Sequence, residues 1–183
     1  MTMELNRRQF ENAARLAAFV IVDPCKASLA AGLGPNRAMA AGILNNMRRA
    51  LHHARALGLS VSFVRSGGND AVWINGIEPR REDALLLKPA LSCYSNRYFD
   101  DIVQRAAGSI VLCGFVGEGG CIATAAGAVH AGHAVTMLSD ATLDSASAAA
   151  SKTTLSTLAV YANLDIQAVS TGAWVSAVKG APV

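Results

Sequence analysis

The chain has 183 residues, 52% of them hydrophobic and 16% charged, with 16 Lys and Arg against 13 Asp and Glu for a net charge of +3. That composition excludes a disordered chain, and at this length about 70% of the unfolded surface can be buried, so one domain over residues 1–183 needs neither a disulfide nor a metal to hold its core. The charge is mild and dispersed apart from Arg48-Arg49 and Arg80-Arg81, which argues against a nucleic-acid face, and no apolar run reaches the roughly 20 residues of a membrane span.

In chain order, "AAFVIVD" (17–23), "LSVSFVR" (59–65), "DALLLK" (83–88), "SIVLCG" (109–114), "HAVTMLSD" (133–140) and "LDIQAVS" (164–170) are short, rich in Val, Ile and Leu, and continuous rather than alternating. Strands buried on both faces read this way. Residues 36–57, 95–107, 119–132 and 146–162 have helical composition. In the first of these, Met39, Ile43, Met47, Leu51 and Leu57 form an apolar stripe, Arg48, Arg49, His52 and Arg55 are left to face water, and Gly58 suits the helix end. Strands alternating with helices predict right-handed crossovers and a three-layer α/β/α fold around a six-stranded, mostly parallel sheet.

Two arginines precede the first apolar run, but Asp23 cuts it short, and no signal peptide is expected. Cys25, Cys93, Cys113 and Cys121 show neither a C-x-x-C pair nor a zinc spacing, which predicts reduced thiols and a cytoplasmic protein.

In open α/β sheets the site lies beyond the carboxyl ends of the strands. Three such ends carry useful chemistry here: Asp23 after the first strand, Lys88 after the third, and Cys121 in the loop after the fourth. A carboxylate that moves a proton, an ammonium that favours ionised forms and a thiol at the positive end of a helix make a nucleophilic set. Taken singly, an Asp at a strand end is most often a turn former, a Lys near a loop is solvated, and a Cys such as Cys113 is a small core hydrophobe. Their arrival together changes that balance.

"VIVD" at the first strand, "LLLKPALSCYS", "GFVGEGGCIATAAGAVHAGHAVTMLSDAT" and the final "STGAWVSAV" together resemble the isochorismatase-like cysteine hydrolases over nearly the whole chain. The most specific part is the cysteine followed by a small-residue helix, a His-x-Gly-His turn and the strand ending Ser139-Asp140-Ala141-Thr142. The resemblance implies a catalytic triad of Asp23, Lys88 and Cys121. It also implies an oxyanion hole from the backbone N–H groups of Gly117 and Cys121, and a non-proline cis peptide at Val116-Gly117. The order Glu118-Gly119-Gly120 before the cysteine and Cys25 two residues after Asp23 depart from the family pattern.

Family members that hydrolyse the vinyl ether of isochorismate typically lack the cysteine and use the Asp as an acid. The presence of Cys121 therefore favours cleavage of a C–N bond in a small amide, carbamoyl or ureido compound through a thioester. Nicotinamidases of this fold hold a metal through an Asp and histidines after the second strand. "RSGGNDAVWINGIEPRRED" has no histidine, so neither a metal nor a cofactor is expected. His130 and His133, at i and i+3, could hold a metal or serve the helix end.

For the small-molecule substrate, Arg65 is a candidate carboxylate anchor or a surface ion pair. Trp73 is a candidate pocket wall, core plug or subunit contact, and Tyr94 falls where the family places an aromatic near the site. The loop 66–82 suggests ordering by a neighbouring subunit, hence a homo-oligomer, dimer or tetramer, which a monomer in sedimentation at micromolar concentration would count against. Two rivals stand beside the hydrolase. A dinucleotide-binding oxidoreductase is disfavoured because "GFVGEGGC" fits G-x-G-x-x-G in no register. A non-catalytic module of the same fold is disfavoured by the three retained polar residues.

Overall fold

The computed structural model describes residues 16–33, 37–67, 72–116, 120–144 and 166–178. The predicted helix at 146–162 lies outside them. Six strands, β1 (Ala18–Val22), β2 (Val61–Ser66), β3 (Ala84–Lys88), β4 (Ser109–Val116), β5 (Ala134–Asp144) and β6 (Ile166–Val169), form one sheet in the order β3-β2-β1-β4-β5-β6. Every pairing in it is parallel. Progression runs one way from β1 and the other way from β4, so the crevice between the ends of these two neighbours is the topological switch point.

The continuous apolar runs follow from two buried faces. Phe19, Ile21, Phe63, Val111, Cys113 and Phe115 pack on one side, against Met47, Ala50, Leu51 and Ala54 of helix α2 (Arg37–Ala56) and Trp174 of helix α5 (Thr171–Ala177). Ala18, Val20, Val22, Val64, Ile110 and Leu112 pack on the other, with Phe99 and Val103 of helix α3 (Phe99–Arg105) and Cys121, Ala125 and Ala128 of helix α4 (Gly120–His130). Strands β1, β2 and β4 thus supply residues to both cores, and none of the three reads as a strand with a polar face.

Helix α2 ends where its sequence predicts. Gly58 takes φ 68°, Gly58 N donates to Arg55 O at 3.0 Å and Leu59 N to Ala54 O at 3.0 Å, the paired bonds of a glycine-terminated helix. Its polar face differs from the expectation. Arg48 and Arg55 do not simply face water: Arg48 donates through Nε and Nη2 to Asn75 O at 3.0 and 2.9 Å, and Arg55 donates to Glu78 O at 2.9 Å and pairs with Asp83. A loop without secondary structure leaves carbonyls that need donors, and the guanidinium groups supply them. Met39 lies among the side chains outside the description.

Other elements depart from the sequence reading. Helix α1 (Lys26–Leu33) occupies a stretch in which the sequence predicts no element. The helix expected at 95–107 is reduced to Phe99–Arg105 behind a 3-10 turn at Cys93–Ser95. Strand β5 continues past Asp140 to Asp144, after a shift in the β4–β5 register between Leu112 and Gly114.

Candidate active site

Asp23 leaves β1 in the left-handed region, φ 51°, which few L residues enter and which aspartate tolerates better than most. The turn is fixed by Asp23 N donating to Val64 O at 2.7 Å and Cys25 N to Asp23 O at 2.7 Å. Its carboxylate is thereby aimed at the end of β2, where Oδ1 accepts from Ser66 N at 2.6 Å. The β2–β3 register pairs Ser66 with Lys88, and the lysine reaches past the serine: Nζ donates to Ser66 Oγ at 2.9 Å and stands 3.0 Å from Asp23 Oδ2. The Lys88 and Asp23 side chains are only 4% and 14% exposed, so this ion pair is largely out of water. Both partners keep further hydrogen bonds, the condition under which such a pair is tolerated.

Helix α4 begins against the same ammonium. A Cβ on Gly120 would stand 3.7 Å from Lys88 Nζ, 3.7 Å from Val22 Cγ1 and 3.4 Å from Leu91 O, so the helix start is wedged between the end of β1 and the segment after β3. Cys121 follows in the first turn, fully buried. Burial pushes its thiol well above the ordinary 9.0; Cys113, Cys93 and Asp23 push the same way, and Lys88 alone pulls it down. With no solvent contact, desolvation acts against the lysine and is the larger of the two effects on the thiol. The direction of the shift favours the protonated thiol. Cys93 stands near enough to feel the same charges. Burial raises it to about 12 against the opposing effects of Thr124 and Lys88, and its backbone N–H donates to Thr124 Oγ1, one turn beyond Cys121, at 3.0 Å.

The structure thus gathers Asp23, Lys88 and the start of α4 that carries Cys121. Gly117, with the expected oxyanion partner and the Val116-Gly117 peptide, lies outside the described residues. Arg65 is half-buried and lowers the Cys25 thiol, whose upward shift comes first from burial and then from Asp23, so it sits near the Asp23 turn. Trp73 bridges antiparallel to Cys25 and stacks edge-on against Phe63 at 5.8 Å. Tyr94 is turned along α4 instead: its hydroxyl meets His133 Nδ1 at 2.7 Å, its ring packs edge-on to Phe99 at 4.9 Å, and burial raises the phenol. His133 is engaged there and His130 is exposed. No group of three or more His, Cys, Asp or Glu suited to a metal occurs among the described residues.

Sequence reasoning missed Ser66, which bonds both members of the ion pair. The signal was present, since the strand-end rule that singled out Arg65 applies equally to the next residue. Alternation sends the two side chains to opposite faces, Ser66 to the face of Val64.

A family model described as the isochorismatase domain matches residues 17–167. No curated protein matches the chain. Among solved structures, an isochorismatase from Pseudomonas putida KT2440 is 20% identical over 87% of this chain and 90% of its own, with a TM-score of 0.73. A cysteine hydrolase from Pseudomonas syringae pv. phaseolicola is 19% identical over 90% and 92%, TM-score 0.72. The YcaC product of Escherichia coli, described as an octameric hydrolase of unknown specificity, is 16% identical over 90% and 80%, TM-score 0.74. At these identities the structures speak for the fold alone. No helix among the described residues is long and apolar enough to cross a membrane.

Proposed function

This chain belongs to the isochorismatase domain family, and from that premise we propose that it is a cysteine-dependent hydrolase of the C–N bond in a small amide, carbamoyl or ureido compound. The observation that carries the reading is the buried Lys88–Asp23 pair set against the first turn of the helix bearing Cys121. A neutral thiol beside an ionised carboxylate needs one proton transfer to become a nucleophile. Moving the proton from Cys121 to Asp23 exchanges a carboxylate for a thiolate, and Lys88 neutralises either charge without moving.

The thiolate then adds to the substrate carbonyl carbon. The oxyanion is received by backbone N–H groups at Cys121, whose position in the first helical turn leaves its N–H without an intrahelical acceptor, and at Gly117 in the proposed hole. As the C–N bond breaks, Asp23 returns the proton to nitrogen and ammonia or an amine departs. Water, giving a proton to Asp23, attacks the thioester; the acid leaves and the thiol is restored. Homo-oligomeric assembly belongs to the same reading, on Leu85 exposed along edge strand β3 and on the octamer described for the Escherichia coli neighbour.

The test is ammonia release from a panel of small amides and ureido acids by wild type and Cys121→Ala. Turnover by wild type should fall by about 10³-fold or more in the variant. Turnover that survives in Cys121→Ala but not in Asp23→Asn would replace this mechanism with acid chemistry by the aspartate, as proposed for a vinyl ether.

A further inference from the structure

A cleft of about 980 Å³ opens beside Lys88, between the end of β3 and the 3-10 turn. That volume suits a ligand well beyond the simplest amides. Its charged lining is Lys88 and Arg97, with no carboxylate among its lining residues, and its apolar lining includes Leu87, Leu91 and Tyr98, each roughly half exposed to solvent. The inner end is fixed by contact: Lys88 Nζ and Leu91 O are the groups against which Gly120 starts helix α4, so the floor of the cleft abuts the residue before Cys121.

The other cation, Arg97, is exposed and lies over the ring of its neighbour. The Arg97 guanidinium lies 4.5 Å from the Tyr98 ring centroid and donates through Nη2 to the Tyr98 hydroxyl. A guanidinium stacked on a ring still offers the paired donors that match a carboxylate, while Lys88 already bonds Asp23 and Ser66. We propose that the substrate class is a carboxylate-bearing amide, its carboxylate taken by Arg97, its carbon chain laid along Leu87 and Leu91, and its scissile amide delivered past Lys88 to Cys121. This deepens the hydrolase reading and rests on it for the chemistry, though not for the binding.

The experiment separates the two. Cys121→Ala protein, which cannot form the thioester, is titrated calorimetrically with monoamides of dicarboxylic acids from succinamate through adipamate to suberamate, each paired with its neutral diamide. The same titrations are made with Cys121→Ala carrying Arg97→Gln, and with Cys121→Ala carrying Arg105→Gln, the loss of an exposed cation on helix α3. At least one monoamide should bind about tenfold tighter than its diamide, with the preference lost on Arg97→Gln and kept on Arg105→Gln. That result supports the assignment whether or not wild type releases ammonia, which is measured separately. Equal binding across every pair, or a preference that survives Arg97→Gln, overturns it even if wild type proves to be an amidase.

Discussion

Asp23 and Lys88 hold each other unequally. Lys88 is the more deeply buried, and its acceptors are Asp23 Oδ2 and Ser66 Oγ; Asp23 is closer to water and keeps the Ser66 N–H if the lysine is removed. Removing one partner of a buried pair leaves the other charge uncompensated, at a cost of about 3–5 kcal/mol where burial is deep. Asp23→Asn preserves the shape and tolerates the left-handed backbone, so it isolates the charge, and it should destabilise by an amount near that range. Lys88→Met should cost distinctly less. The double variant should be more stable than Asp23→Asn alone, because it no longer buries an unpaired ammonium. Urea denaturation of the four proteins checks this, and a double variant no more stable than Asp23→Asn would mean the lysine finds another partner. The three strand-end residues were legible in the sequence because a carboxylate, an ammonium and a thiol at the ends of buried runs have few structural reasons to be there together. Ser66 carried only its place at a strand end as a signal, which any turn-forming serine shares until the register with Lys88 is known. The upward push on the Cys121 thiol was not legible, since it depends on burial and not on residue type.

Strand β4 leaves no room for a side chain against β1 where the site begins. Gly114, opposite Val22, has φ 141°, and a Cβ there would stand 2.2 Å from Val22 O and 2.6 Å from Val22 N. Those are backbone atoms and cannot swing aside, so Gly114→Ala must part the two strands at the end that carries Asp23. The expected loss is about 3 kcal/mol or more, since strain and overpacking add. Gly42 is the contrast. It lies exposed within α2 with nothing within 4 Å of its would-be Cβ, and Gly42→Ala should stabilise by about 0.5–1 kcal/mol through helix propensity. Chemical denaturation of both variants should give shifts of opposite sign; a neutral Gly114→Ala would show that β4 can relax. At this scale the sequence was legible wherever burial on both faces left a continuous apolar run or where a glycine closed a long amphipathic helix. It was not legible where elements are short or polar. Helix α5 has seven residues and starts from a Ser170 cap that read as the end of a strand. The extension of β5 beyond Asp140 passes through polar Thr142, whose Oγ1 donates to Leu138 O at 2.8 Å, and it follows Asp140, whose Oδ1 accepts from Thr171 N and Oγ1 at 2.7 Å each.

Across the molecule, both cores bury thiols: Cys113 lies on the side of α2, Cys93 and Cys121 on the side of α4, and all three are inaccessible to solvent. In the sequence these were four cysteines without pairing or metal spacing; that three of them are shut away from water is a property of the packing. Burial raises each above the ordinary 9.0, Cys93 to about 12. The consequence for stability has a definite sign. Below 9.0 folded and unfolded chains both carry protonated thiols, and the contribution is fully present. Above it the unfolded chain releases protons that the folded chain retains, so the unfolded state binds fewer protons and stability falls as pH rises, for Cys93 across the window from 9.0 to about 12. Each retained proton steepens the fall by about 1.4 kcal/mol per pH unit, so three buried thiols together give about 4. Lysines and tyrosines also titrate there, so the measurement is a difference. Urea midpoints are followed from about pH 8 to about pH 10.5 under reducing conditions in wild type and in Cys113→Ala, whose site lies on the opposite core from the candidate nucleophile. Cys113→Ala is expected to be less stable throughout, because it leaves a cavity, yet to lose stability with pH less steeply, by about one proton's worth. Parallel slopes would mean that Cys113 ionises as readily inside the sheet as outside it, and burial would no longer account for the neutral thiol proposed at Cys121.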